Sequence, residues 1–272
     1  MPPNNYLIPQ YCEETGSPFC SFTQLVNFTE TSHSVCIDTT IMLDLQVVRF
    51  GCRATWKTHK YYQGEFKMTV ISMRQITPKI GKTELVTNRV RSMAGIVARA
   101  GARVRIGNVV GGEGAGSLHM YAAWENFESL SSGTVKIAAD PARQKLLHER
   151  ELNPAGEMIG PEVYRTVYGD LAPDYPVVMQ REYSVPRENL GEALAILPDI
   201  EKLGKDHDYK LAAVVPVIAD ELGRMVVLYY YKTLEELGIA IDQIGMSEEF
   251  QKIVLKANTL GTLTKSRVVC II

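Results

Sequence analysis

The sequence predicts an α+β fold: two tandem β-α-β-β-α-β units closing into one barrel, preceded by an N-terminal extension. Two observations carry this. The chain matches itself when shifted by 107 residues, so that 102–148 falls on 209–255 without a gap. Val110 then meets Val217, Gly116 meets Gly223, Glu128 meets Glu235, Leu130 meets Leu237, Ile137 meets Ile244, and Gln144-Lys145 meets Gln251-Lys252. The same series of strand, helix and turn signals also recurs in both stretches.

In the first copy, Phe66–Gln75 reads as a strand rich in Met, Val and Ile, and Pro78 ends it. Residues 80–100 set Leu85, Val86, Val90, Met93 and Val97 along one helical face, and Gly101 stops that helix. Arg103–Val110 and Leu118–Trp124 are strands joined by a turn at Gly111-Gly112-Glu113-Gly114. A helix follows over 125–138. Asp140-Pro141 starts another, with Asp as N-cap and Pro at the first position. Val163–Tyr168 is the last strand. The second copy has strands Val177–Val185, Lys210–Ile218, Arg224–Lys232 and Lys265–Ile271, with helices over 187–204, 233–244 and 247–257. Ser247 takes the capping place of Asp140, and Tyr231 the place of Trp124. Strand, crossover helix, hairpin, helix and strand make a ferredoxin-like sheet with helices on one face. The bare face needs a cover, and two copies cover each other. The expected division is an extension over 1–64, partly ordered with one strand at Thr39–Arg49, then repeats over 65–170 and 175–272.

Composition narrows the function classes. The 272 residues are 46% hydrophobic and 22% charged, with a net charge of -2. This size buries a sufficient core without disulfide or metal. The balanced charge gives no basis for nucleic-acid or membrane-surface binding. No apolar run approaches the ~18 residues of a membrane span. The opening MPPNNYLIPQYCEETG lacks a basic and apolar leader pattern, so a cytoplasmic protein is expected. Cys12, Cys20, Cys36, Cys52 and Cys270 show no CxxC spacing and read as reduced thiols; no metal site is expected. The glycines from Gly107 to Gly116 sit between two strands, which makes them a hairpin rather than a phosphate loop.

The element order, the duplication and the aromatic strand ends (Tyr121 to Trp124, and Tyr229-Tyr230-Tyr231) resemble the dimeric α-β barrel superfamily, and within it the tandem NIPSNAP-like proteins. The resemblance covers about 65–272. It implies an intrachain dimeric α-β barrel. The superfamily includes cofactor-free oxygenases, cyclases, haem enzymes and proteins of no known reaction.

Strand alternation supplies the candidate site. Val104, Ile106 and Val110 should face the helices, which turns Arg103, Arg105 and Gly107 inward. Leu118, Met120, Ala122 and Trp124 form one set, and His119, Tyr121 and Ala123 the other. Arginines, a histidine and a tyrosine on such strands need partners or water inside. His119 is the expected catalytic proton carrier and Tyr121 its orienter. Arg105 and Arg165 are the expected anion clamp, with Trp124 completing the substrate-binding set. The competing reading pairs the arginines with Glu162 or Glu182 at the rim. No cofactor is expected. The alternative, implied by the resemblance, is haem, with His148 as the matching helical histidine. Two functions follow: a cofactor-independent oxygenase, isomerase or cyclase acting on a small carbonyl or aromatic acid, or a non-catalytic ligand-binding or scaffold protein. A small-molecule ligand is the expected partner, without nucleic acid or membrane, and self-association is left open. An enclosed pocket with His119 inside favours the enzyme; a barrel filled by Met73, Met120, Met179 and Tyr229 favours the scaffold. Val226, Leu228 and Ala212 replace His119, Tyr121 and Arg105 in copy two, so copy one is expected to be the ligand-binding half.

Overall fold

The computed structural model describes residues 39–43, 46–50, 68–205 and 207–272. The chain divides into two units, 1–61 and 62–272. In the first, β1 (Thr39–Leu43) and β2 (Gln46–Phe50) pair antiparallel, with Thr39 opposite Phe50 and Leu43 opposite Gln46. The stretch expected as one strand, Thr39–Arg49, is thus two strands paired with each other. Cys12, Cys20, Cys36 and Cys52 lie outside the described residues.

The second unit runs β3 (Val70–Pro78), α1 (Thr83–Arg99), β4 (Arg103–Gly112), β5 (Leu118–Trp124), α2 (Phe127–Ala139), α3 (Pro141–Leu152) and β6 (Gly156–Tyr168). It continues with β7 (Val177–Ser184), α4 (Leu190–Leu194), α5 (Leu197–Leu203), β8 (Lys210–Ile218), β9 (Arg224–Tyr231), α6 (Leu234–Ala240), α7 (Glu248–Asn258) and β10 (Thr262–Ile271). Eight strands close a barrel in the order β10-β4-β5-β3-β6-β8-β9-β7, every pair antiparallel. Each half orders its strands second, third, first, fourth. The seams are β6 on β8 and β10 on β4. Closure leaves no unpaired edge in this sheet.

The cross-strand register recurs 107 residues on. Gly107 pairs with His119 and Arg105 with Tyr121; Val214 pairs with Val226 and Ala212 with Leu228. Met73 lies opposite Tyr121, and Gln180 opposite Leu228. The crossover helix expected over 187–204 is broken into a 3-10 turn at Arg187–Asn189, then α4 and α5. Pro198, at the second position of α5, cannot donate within a longer helix. Side-chain caps hold other helix starts: Asn126 and Ser129 form a capping box, and Asp140, Thr233 and Ser247 each accept a backbone N–H.

Three apolar cores result. Val86, Val90 and Val97 of α1 pack on Ile106, Leu118, Met120 and Ala122. Leu197, Ile200, Leu237 and Phe250 pack on Leu211, Ala213, Val227 and Tyr229. The third core lies inside the barrel and draws on both halves: Ile71 and Tyr164 meet Val178, Val214, Val226, Leu228 and Tyr230. Val110, expected on the helix side, is exposed, and Val109 is buried instead. Asn108, two residues earlier on the same face, is already exposed, so the helix-side cover ends after Ile106; the register of β10 on β4 shifts between Val268 and Val269 and leaves Val110 as an extra residue. Among the described residues no helix is long and apolar enough to cross a membrane.

Trp124 fixes the seat of α2. A Cβ placed on Gly133 would stand 2.2 Å from the indole ring. Gly133→Ala should therefore destabilise the protein by about 1–3 kcal/mol through overpacking. A denaturant titration in which this variant matched the unaltered chain would show that the ring shifts freely.

Candidate functional site

The barrel holds a cavity of about 820 Å³, within the ~300–1,000 Å³ usual for small-molecule sites. Both halves line it, so the expectation that one half alone forms the site does not match the geometry. The middle is apolar, walled by Ile71, Met73, Val178, Val214, Val226 and Leu228 with the ring of Tyr230. Met120, Met179 and Tyr229 belong to the helix-side cores, so they do not fill the barrel.

At one end the linker between the halves brings Leu171 and Pro173 to the cavity. Arg105 holds it, donating to the carbonyls of Ala172 and Tyr175 at 3.3 Å each. The other end is ionic. Arg224 donates to Glu162 at 2.6 Å and to Glu182 at 3.4 Å. Arg267 pairs with Glu182 at 3.1 Å and Glu113 at 2.7 Å, and Lys265 lies 3.5 Å from Glu182. Tyr164 donates to Glu162 at 2.6 Å. Burial opposes the Glu162 charge, yet hydrogen bonds from Tyr164 and Arg224 hold its carboxyl below the usual value.

A polar chain sits on the wall between. The Gln180 amide donates to the Tyr121 oxygen at 2.8 Å, and that oxygen lies 2.7 Å from His119 Nδ1. In the tautomer with the imidazole proton on Nε2, the phenol donates to Nδ1 and accepts from Gln180. His119 is 0% exposed, and Nε2 has no partner among the described residues. Gly107 lies directly opposite; the space a side chain there would fill is taken by Val269, with Ile271 and Tyr121 nearby. His119 is thus behind Tyr121 and does not line the cavity. Burial, aided by the Arg267 charge, lowers its pKa to about 4, so the imidazole is neutral at pH 7. Burial pushes the Tyr121 hydroxyl above its usual value.

The predicted residues therefore separate. His119 and Tyr121 come together, with the order of approach reversed from expectation: Tyr121 meets the cavity. Arg105 lines the cavity but its guanidinium is spent on the linker carbonyls. Arg165 is exposed and lines no part of the cavity: Glu162 and Tyr164 line it, while Arg165 shares the outer face of β6 with Val163, which packs in the helix-side core. Trp124 is buried on the helix side, its Nε1 3.5 Å from the Ser72 hydroxyl. The rim pairing of Arg267 with Glu182 was readable; Gln180 and Arg224 were missed. Their signal was alternation, since Val178, Gln180, Glu182 and Ser184 share one face of β7, and Arg224, Val226, Leu228 and Tyr230 one face of β9. His148 is exposed and lines neither this cavity nor a second one beneath the helices. The residues present thus do not fit haem held by His148. No cluster of three or more metal-ligating side chains occurs among the described residues.

No family model matches the chain, and no curated protein matches it. Solved structures do. An anthrone oxidase-like protein aligns with a TM-score of 0.55 and 12% identity over 76% of this chain and 92% of that one. A candidate monooxygenase from Fusobacterium nucleatum aligns at 0.53 with 9% identity over 76% and 93%. A candidate chlorite dismutase aligns at 0.51 with 11% identity over 76% and 95%. At these identities the likeness is one of fold, and the fold is that of the dimeric α-β barrel proteins.

Proposed function

We propose that the barrel binds a small, largely apolar or aromatic molecule bearing a carbonyl or hydroxyl, gripped by Tyr121 and Gln180. The carrying observation is the cavity of about 820 Å³ with the Gln180–Tyr121–His119 chain on an otherwise apolar wall. The arginine clamp of Arg105 and Arg165 is not part of this reading, because the Arg105 guanidinium is engaged by the linker carbonyls and Arg165 lies outside the cavity. In the catalytic form of the proposal the reaction is of oxygenase, isomerase or cyclase type and needs no bound cofactor. Deprotonating an acidic ligand would pass its proton to the Tyr121 oxygen while the phenolic proton moves to His119 Nδ1. The weak basicity of His119 restricts this route to strongly acidic ligands. The same observation favours the second reading, a NIPSNAP-like ligand-binding or scaffold protein without turnover. A tandem duplication, supported by the shared register, and a cytoplasmic location complete the proposal.

The test pairs binding with turnover. 1-Naphthol should raise the melting temperature, and Tyr121→Phe or Gln180→Leu should weaken its binding about 10-fold, or ~1.4 kcal/mol. Oxygen uptake with anthrone, lost in Tyr121→Phe, supports the oxygenase form. Binding without uptake supports the scaffold form. Unchanged affinity in both variants sinks the site.

A further inference from the structure

The first half carries a second cavity, of about 460 Å³, outside the barrel between its sheet and α1 and α3. Its floor is apolar, with Val86, Val90, Met120 and Leu146 all buried. Four arginines line it, Arg74, Arg89, Arg143 and Arg150, against a single acid, Glu151. None of the four has a carboxylate partner among the described residues. Arg89 donates to the carbonyls of Glu149 and Asn153 at the end of α3, and its buried Nε has no partner among the described residues. Among the described residues Arg150 reaches only the Met158 sulfur, at 3.9 Å. Arg74 occupies the register shift of β3 against β6, and neither it nor Arg143 is engaged by a side chain or carbonyl among the described residues. Burial and the Arg143 charge pull the Arg74 guanidinium below its usual pKa.

The second half shows how the same position is otherwise settled. At the shift of 107, Arg74 corresponds to Arg181, Arg143 to Phe250 and Ala122 to Tyr229. The Arg181 guanidinium lies over the rings of Tyr229 and Phe250, 5.7 and 5.8 Å from their centroids. Aromatic faces cover that cation and fill the space around it, although its buried Nε has no hydrogen-bond partner among the described residues. In the first half both rings are lacking. Alanine takes one place and a second cation, Arg143, the other, so the volume stays open.

We propose that this second cavity is a binding site for an amphiphilic anion, a carboxylate or phosphate monoester head set between Arg74 and Arg143 with its apolar body on the Val90–Met120–Leu146 floor. Guanidiniums match such heads with paired hydrogen bonds. The site is separate from the barrel cavity and does not depend on its reading.

The test uses the full chain with octanoate, octyl phosphate, inorganic phosphate and octanol, measured by calorimetry and thermal shift. Octanoate and octyl phosphate should bind and raise the melting temperature. Arg74→Gln should weaken both at least 10-fold and should itself melt no lower than the unaltered protein. Arg143→Phe, which installs the cap of the second half, should abolish binding. If that variant does not fold, the affinities of Arg74→Gln decide the question alone. The affinity of the barrel for 1-naphthol should stay unchanged in Arg74→Gln, which separates the two sites. Octanol binding as tightly as octanoate, inorganic phosphate binding as tightly as octyl phosphate, or full affinity in Arg74→Gln would each overturn the proposal.

Discussion

Glu182→Ala should cost about 3–5 kcal/mol, the expected penalty for removing one partner of a buried ion pair. Glu182 is 4% exposed, and its two oxygens serve Arg224, Arg267 and Lys265. Arg224 and Arg267 are themselves buried. Without the carboxylate, two guanidiniums on the strands that flank β7 keep their charges with Glu162 and Glu113 alone. Lys265 is well exposed and contributes little, since solvent screens it. The comparison is Glu113→Ala, whose side chain is 42% exposed and whose loss should stay near 1 kcal/mol. Urea titrations of both variants decide the matter. If Glu182→Ala unfolded within 1 kcal/mol of the unaltered protein, the ionic end would be a solvated rim. The network also shapes ligand choice. Its charges are mutually compensated, so the barrel draws ligands by its apolar middle and its single polar chain.

The barrel was legible because its determinants are periodic and local. The self-match, the glycine turn and the helix caps at Asp140 and Ser247 each state a local geometry, and together they leave one topology. Alternation made part of the site legible. On β5 it put His119 and Tyr121 on the barrel face, as found. On β6 the same alternation sets Glu162 and Tyr164 inward and Val163 and Arg165 outward, which excludes Arg165 from the cavity. Depth was not legible at all. That His119 is sealed behind Tyr121 depends on Gly107 leaving room for Val269, a side chain 150 residues away in sequence and brought there by the β10–β4 seam. Likewise nothing local says that Arg105 spends its guanidinium on the linker. Such outcomes follow from strand closure, which a single chain pattern encodes only through its long-range pairs.

Acidification should destabilise the protein through His119 before its carboxylates begin to protonate. The folded pKa is about 4, and an exposed histidine titrates near 6.5. Between these values the unfolded chain binds the proton and the folded chain does not. Stability is therefore full above pH 6.5 and falls as the pH drops toward 4. The slope approaches 1.4 kcal/mol per pH unit and the total is about 3 kcal/mol. The sealed environment gives the cause: a cation at His119 would sit without water near Arg267, with Tyr121 as its hydrogen-bond partner. Protonation would also reverse the bond to Tyr121, because Nδ1 would become a donor and free the phenolic hydrogen toward the cavity. Ligand selectivity should shift in the same window, away from hydroxyl donors such as 1-naphthol and toward carbonyl acceptors. His119→Leu should flatten the pH dependence between 6.5 and 4.5 and leave the steeper loss below 4.5, where Glu162 protonates and its lowered pKa ceases to contribute. Unfolding free energies of the two proteins, taken at half-unit steps from pH 7.5 to 4.5, test this directly. Parallel curves would mean that His119 is solvated in the native state and that the dyad is open to the cavity water.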